Sequence, residues 1–235
     1  MTRLLLTRSA EGNAAWAPHV RAAGATPVEL ACIRTEPLPS AAELSAALHG
    51  ATWLVVTSAR GVDAVAWLLE GAQVQIPVAA VGDATAAAAR SQGWTVALVA
   101  PDGTAASLAD ALAARLAPTD RAVLALADRA GDALERALGE RARRVDVYRT
   151  VPAAPSTPVD LADLQLSAAL LASPSAVEGL ANRAVVPRDL PLVSIGPTTS
   201  AAVRRAGWSV AAEAATPSIT DLLAATPAPT SPEPR

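Results

Sequence analysis

The sequence predicts an α/β fold: two similar domains, each a parallel sheet flanked by helices, joined by a two-stranded linker with a cleft between them. Three observations predict it. Short apolar runs that end in hydroxyl residues alternate with helix-like segments of about ten residues, the pattern of parallel strands joined by right-handed crossovers. The segment VAAVGDATAAAARSQGWTVAL (78–98) recurs as LVSIGPTTSAAVRRAGWSVAA (192–212), identical at 9 of 21 positions. An offset of 114 residues is too long for a solenoid and indicates two similar domains. Finally, IRTEP at 33–37 is echoed by YRTVP at 148–152, 115 residues later, and the second copy holds the only tyrosine in the chain.

Taken in order, LLLTRSAEGNAAWAPHVRAAG (4–24) reads as a buried first strand and a helix. WLVVTSARGVDAVAWLL (53–69) is a strand, a hydroxyl turn and a helix, and pairs loosely with ALLASPSAVEGLANRA (169–184), Ser58 falling against Ser173. In the strongest repeat, VAAVG and LVSIG are strands, and helices follow from about Ala84 and Thr198. Gly93 and Gly207 stop those helices at the C-terminal cap. WTVALV and WSVAA are further strands, PDGTAASLADAL (101–112) matches AATPSITDLLAA (214–225), and AVLALADRAGDALERALGE (122–140) completes the set. The order of elements is explained if 38–148 is one continuous domain and 1–33 with 155–226 is the other. Residues 34–37 and 149–154 are then the linkers, lying side by side, and the proline two residues after each Thr ends regular pairing. The segment 227–235, PAPTSPEPR, is Pro-rich and polar and is expected to be disordered.

Composition excludes more than it suggests. The 235 residues contain no lysine, which removes Schiff-base chemistry, covalent pyridoxal phosphate and the phosphate-loop lysine. His19 and His49 have no neighbours at metal-ligand spacing, and there is no GxSxG, CxxC or GxGxxG motif. Cys32 is the only cysteine, so no internal disulfide forms, and a cytoplasmic location is expected. The N-terminus lacks a long apolar region, no run is long enough for a membrane span, and the net charge of −3 gives no attraction to nucleic acid. Arg141, Arg143 and Arg144 form the one basic cluster, expected to be a solvated helix end, with anion binding as the alternative.

Small hydroxyl residues fall where strands end and helices begin: Thr7, Thr57 and Ser58, Thr85, Ser173 and Ser175, Thr198 and Thr199, Thr216 and Ser218. Each is expected to serve as a helix N-cap, an interaction worth about 1 kcal/mol. A capped helix N-terminus also offers free amides and a positive dipole end, so it suits an anion. In open parallel sheets ligands bind beyond the carboxyl ends of the strands. If the domains face each other, these turns suit a ligand carrying several carboxylates or phosphates. Arg8 and Arg129 follow matching strands and offer bidentate carboxylate recognition.

The ordered set of LLLTR, VVTSARGVDAV, VAAVGDATAAAARSQGW, VDVYRTVP, LLASPSAVEGL and SIGPTTSAAVRRAGW resembles the uroporphyrinogen-III synthases of tetrapyrrole biosynthesis over residues 3–225. The resemblance implies two α/β domains joined by paired linking strands. It implies dehydration and ring closure of hydroxymethylbilane to uroporphyrinogen III, with the last pyrrole inverted through a spiro intermediate. No cofactor or metal is implied, the partner is this small-molecule substrate, and a monomer is expected, in transient contact with the preceding pathway enzyme. By position, Tyr148 matches the family's linker tyrosine, a candidate proton donor to the departing hydroxyl; packing between domains is its other reading. Thr85 and Thr199, three residues after Gly82 and Gly196, match the family's two G-x-x-T threonines, and Ser58 and Ser173 match its hydroxyls after the strands, in loops that bind acetate and propionate groups largely through backbone amides; Thr57, Ser175, Thr198, Arg8 and Arg129 are further candidate contacts beside them. Relatives often place a proline near Ala31 or Cys32, which this chain lacks. Rival readings are a non-catalytic two-domain binding or sensor protein for a polycarboxylate, and a glycosyltransferase-like pair of nucleotide-binding domains.

Overall fold

The computed structural model describes residues 2–227; most of the Pro-rich segment lies outside the described residues. The strands are β1 (Arg3–Leu6), β2 (Thr26–Glu29), β3 (Ile33–Pro37), β4 (Trp53–Val56), β5 (Val78–Ala80), β6 (Val96–Val99), β7 (Ala122–Ala127), β8 (Ala142–Pro152), β9 (Val159–Asp160), β10 (Ala168–Leu171), β11 (Ala184–Val185), β12 (Leu192–Ser194) and β13 (Val210–Glu213). The helices are α1 (Ala10–Ala22), α2 (Ala41–Leu48), α3 (Ala59–Leu68), α4 (Asp83–Ser91), α5 (Ala105–Ala113), α6 (Ala133–Leu138), α7 (Pro174–Arg183), α8 (Pro197–Arg205) and α9 (Ile219–Ala224). Two compact units result: residues 1–34 with 150–235, and residues 35–149.

The discontinuous unit holds a parallel sheet in the order β13-β12-β10-β1-β2. Its central strands β1, β10 and β12 are short, largely apolar and buried on both faces, as strands covered on both sides require. Alternation sends Leu5, Ala169, Leu171 and Leu192 to one face, under α7 and α8 (Val177, Leu180, Ala202, Val203). Leu4, Leu6, Ala168, Leu170 and Val193 go to the other, under α1 and α9 (Ala17, Val20, Leu222). Among the glycines, the tightest packing is on α7. A Cβ added to Gly179 would stand 1.6 Å from the Cys32 carbonyl oxygen, so the chain at Cys32 runs directly against the helix. That carbonyl accepts a hydrogen bond from the Ala153 amide at 2.7 Å.

The continuous unit holds a sheet in the order β3-β8-β7-β4-β5-β6, in which β4 to β8 are parallel. Leu54, Val56, Val78, Ala80, Val123 and Ala125 face α3 and α4, with Leu44 and Ala47 of α2 in the same cluster. Val55, Ala79, Leu124 and Leu126 face α5 and α6 through Leu108, Leu112, Leu134 and Leu138. β3 runs antiparallel to β8, since the Leu38 amide donates to Val147 and the Ala153 amide to Cys32. Each of these strands ends on its proline, Pro37 or Pro152, as the missing amide requires.

The expected helix ends are present. Gly93 and Gly207 stand at φ +79° and +81° just beyond α4 and α8, the left-handed conformation that closes a helix without a Cβ penalty.

Candidate functional site

In the continuous unit the candidate residues follow the carboxyl ends of β4, β5 and β7, and Tyr148 lies within β8 opposite Ala127, the last residue of β7. Ser58 caps α3, its Oγ accepting the Gly61 amide at 3.0 Å. The same oxygen lies 2.8 Å from the Tyr148 phenol oxygen. Tyr148 reaches it because β8 is bulged. The register steps from Leu126–Asp146 to Ala127–Tyr148, so Val147 is the extra residue. In a regular strand Val147 and Tyr148 would point to opposite faces; here both pack in the same core cluster as Val145. The bulge thus turns the phenol toward the loop after β4. Thr57 is half-buried beside Ser58.

Thr85 lies in the first turn of α4 and is buried, and Gly82 is the extended N-cap. Asp83, the first residue of that helix, is exposed. Arg129 is exposed on the loop after β7.

In the discontinuous unit Ser173 caps α7, accepting the Ala176 amide at 3.1 Å, and its Oγ is 3.0 Å from that of Ser175. Gly196 is the N-cap of α8, followed by Pro197, exposed Thr198 and buried Thr199. Arg8 packs its guanidinium over the Trp16 ring, 4.3 Å from the centroid, and reaches the Gly12 carbonyl at 3.4 Å. Thr7 is wholly buried and donates to the Leu170 carbonyl at 2.7 Å, so it fastens β1 to β10. Ser218 caps α9, accepting the Asp221 amide at 3.0 Å.

Two arrangements escaped the sequence reading. Ser194 and Ser200 are buried with their hydroxyls 2.6 Å apart, and Ser200 also donates to the Glu213 carboxylate. The signal was in the repeat: the same positions 114 residues earlier are Ala80, Ala86 and Val99. The second corrects the basic cluster. Arg143 and Arg144 lie on β8, not on a solvated helix end, because the helix stops at Leu138 and a short 3-10 turn, Gly139–Arg141, leads into the strand. Arg144 is half-buried, with carboxylates of Asp146 at 2.6 Å and Glu135 at 2.9 Å. Burial by itself lowers its pKa, but those two hydrogen bonds and charges outweigh it and the net shift is upward. Opposite charges two apart along a strand, Arg144 and Asp146, were the available clue.

Among the described residues no group of three or more His, Cys, Asp or Glu could hold a metal ion, and no helix is long and apolar enough to cross a membrane.

Fold and loops together define a class: an α/β protein whose parallel strands deliver capped helix N-termini, hydroxyls and one phenol to their carboxyl ends, with no nucleotide-binding glycine loop. The family model described as uroporphyrinogen-III synthase HemD matches residues 14–224. The chain therefore belongs to the uroporphyrinogen-III synthase family, whose members are enzymes of tetrapyrrole synthesis.

The fold is similar to that of uroporphyrinogen-III synthetase from Helicobacter pylori, at 16% identity and TM-score 0.61, covering 95% of this chain and 97% of that one. A mutant uroporphyrinogen III synthase from Thermus thermophilus is 22% identical at TM-score 0.48, covering 95% and 96% of the two chains. The Thermus thermophilus enzyme in another structure is 21% identical at TM-score 0.42, covering 96% and 98%. No curated protein sequence matches.

Proposed function

We propose that the protein is a cyclising lyase that removes water from hydroxymethylbilane and closes it to uroporphyrinogen III with the last pyrrole ring inverted. Family membership supports the reaction. The single observation that carries the chemistry is the Tyr148–Ser58 pair, 2.8 Å between oxygens.

Ser58 Oγ already accepts the Gly61 amide hydrogen. When the Ser58 proton is directed onto the phenol oxygen, the phenol hydrogen points elsewhere and is available to the hydroxymethyl oxygen of the substrate. The phenol O–H acts as the acid that lets this oxygen leave as water. The resulting cationic methylene carbon is attacked by the substituted carbon of the last pyrrole, and the spiro intermediate fragments and recloses with the ring turned. The proton released at final closure restores the phenol. Inversion is then chiefly a matter of holding one fold of a flexible chain.

Thr57, Ser58, Gly82, Thr85 and Arg129 of one unit, and Arg8, Ser173, Ser175, Gly196, Thr198 and Thr199 of the other, bind acetate and propionate groups. Because Thr85 and Thr199 are buried, their turns act mainly through backbone amides at the helix starts. Arg8 is drawn onto Trp16 and Gly12 and serves as a secondary contact. The same reading makes the protein a cytoplasmic monomer that receives its substrate from the preceding pathway enzyme.

The test is direct. Freshly made hydroxymethylbilane is supplied to the protein and the isomers are resolved after oxidation. Enrichment of isomer III is expected; isomer I alone rejects the reading.

A further inference from the structure

The Arg144 guanidinium has five N–H donors, and the structure supplies acceptors for all of them. Nε donates to Asp146 Oδ1 at 2.6 Å. One terminal nitrogen donates to Glu135 Oε1 at 2.9 Å and to the Ala130 carbonyl at 3.2 Å. The other donates to the carbonyls of Ala127 at 2.9 Å and Asp128 at 3.3 Å. Three of the four carbonyls in 127–130 are thus gathered on one side chain, and the residue between them is the exposed Arg129. The loop is also tied to the bulged strand, since the Asp128 amide donates to the Tyr148 carbonyl at 3.0 Å. Such a planar fork cannot be copied by an ammonium group, which has three donors on a single atom.

The geometry points to Arg144 as a positioning residue: it holds the loop after β7 in the one conformation that presents Arg129 to a carboxylate of the substrate. This inference rests on the proposed function for its substrate, and on the geometry alone for the clamp. Two carboxylates, Asp146 and Glu135, fix the guanidinium; it in turn fixes the loop by carbonyls that carry no sequence information. Arg129 itself lies outside this network, which leaves its guanidinium to face a ligand.

The test uses the full chain with Arg144→Lys, Arg129→Ala and the double variant. Arg144→Lys is expected to raise KM for hydroxymethylbilane about tenfold with kcat within about threefold, the loss of one ordered charged contact. In the Arg129→Ala background the same change is expected to have almost no further effect, because its route is already gone. A purely structural Arg144 would act independently, and multiplied effects in the double variant overturn the inference, as does an unchanged KM. Hydrogen exchange supplies a readout without substrate. The Asp128 and Ala130 amides are expected to exchange faster in Arg144→Lys while the β4 and β5 amides do not change; equal exchange overturns the clamp. Should Arg144→Lys fail to fold, Glu135→Gln keeps the shape and is expected to shift both readouts in the same direction by less. A wild-type chain that makes no isomer III defeats the functional reading, while the exchange result still decides the clamp.

Discussion

The two units use one sheet plan and differ in what they place at its working end. In both, a central strand is followed by a serine-capped helix, β4 with Ser58 and β10 with Ser173. In the continuous unit that serine meets a phenol. In the discontinuous unit it meets Ser175, and the position matching Tyr148 in the IRTEP echo is Ile33, which is buried. The G-x-x-T turns diverge as well. The first reads Gly82-Asp83-Ala84-Thr85, with a carboxylate at the helix start, and the second Gly196-Pro197-Thr198-Thr199, without one. Beneath the second lies the Ser194–Ser200–Glu213 chain where the first has only Ala and Val. Duplication of a backbone therefore preserves where helices start, because capping and apolar alternation are local requirements. Chemistry is free to differ, because it rests on single side chains that the backbone does not dictate.

The sharpest break should come at Gly179, whose counterpart is Ala64 of α3. Ala64 sits buried with its Cβ accommodated, whereas a Cβ at 179 meets the Cys32 carbonyl at 1.6 Å. Gly179→Ala is expected to cost about 3–5 kcal/mol, since backbone must move; Ala64→Gly should cost about 1 kcal/mol by helix propensity. Thermal unfolding of both variants checks the contrast, and equal losses would remove it.

Next, Tyr148→Phe should lower kcat by about 10²–10⁴-fold, the usual range for loss of general acid catalysis, with KM within about threefold. Near-normal turnover would remove Tyr148 from the acid role. Ser58→Ala should fall between this variant and wild type.

A pH effect should separate the units. Burial raises the Cys32 thiol from its ordinary 9.0 to about 12, partly opposed by the Arg183 charge. The folded state holds this proton more tightly than the unfolded chain. Its contribution to stability is therefore full below pH 9.0 and lost as pH rises through about 12. The matching residue in the continuous unit is Val147, which does not titrate. Denaturant unfolding followed from pH 8 upward should lose stability more steeply in wild type than in Cys32→Ala; equal slopes would reject the assignment.

The smallest effect is expected for Ser200→Ala, which copies the Ala86 of the other unit. Ser194 is left buried without its partner, at a cost of about 1–2 kcal/mol. Stability unchanged to within a few tenths would mean that the polar chain is equivalent to its apolar counterpart.

Much of this was legible before the fold. The 114-residue repeat, the stop glycines and the serine caps are written in contiguous residues, because strands, helices and their ends answer to short-range rules. The basic cluster departs from its expectation for a reason of the same kind: α6 is short, and the local signs that RARRVDVY is already strand are slight, the Arg144–Asp146 pair and the alternation of Val145 and Val147. Arg144 then finds acceptors in 127–130 and at Glu135, which pattern alone does not bring to it.

By itself, then, the sequence determined the strand and helix alternation, the internal repeat, the capped turns and the singular place of Tyr148. Only the tertiary structure decided that a β-bulge at Val147 turns the phenol onto Ser58, that α7 admits no side chain at Gly179, and that one guanidinium gathers the loop carrying Arg129. The physical reason is range. Capping and periodicity act over three or four residues, whereas these contacts join groups 14 to 147 positions apart, and their geometry exists only once the sheets have formed.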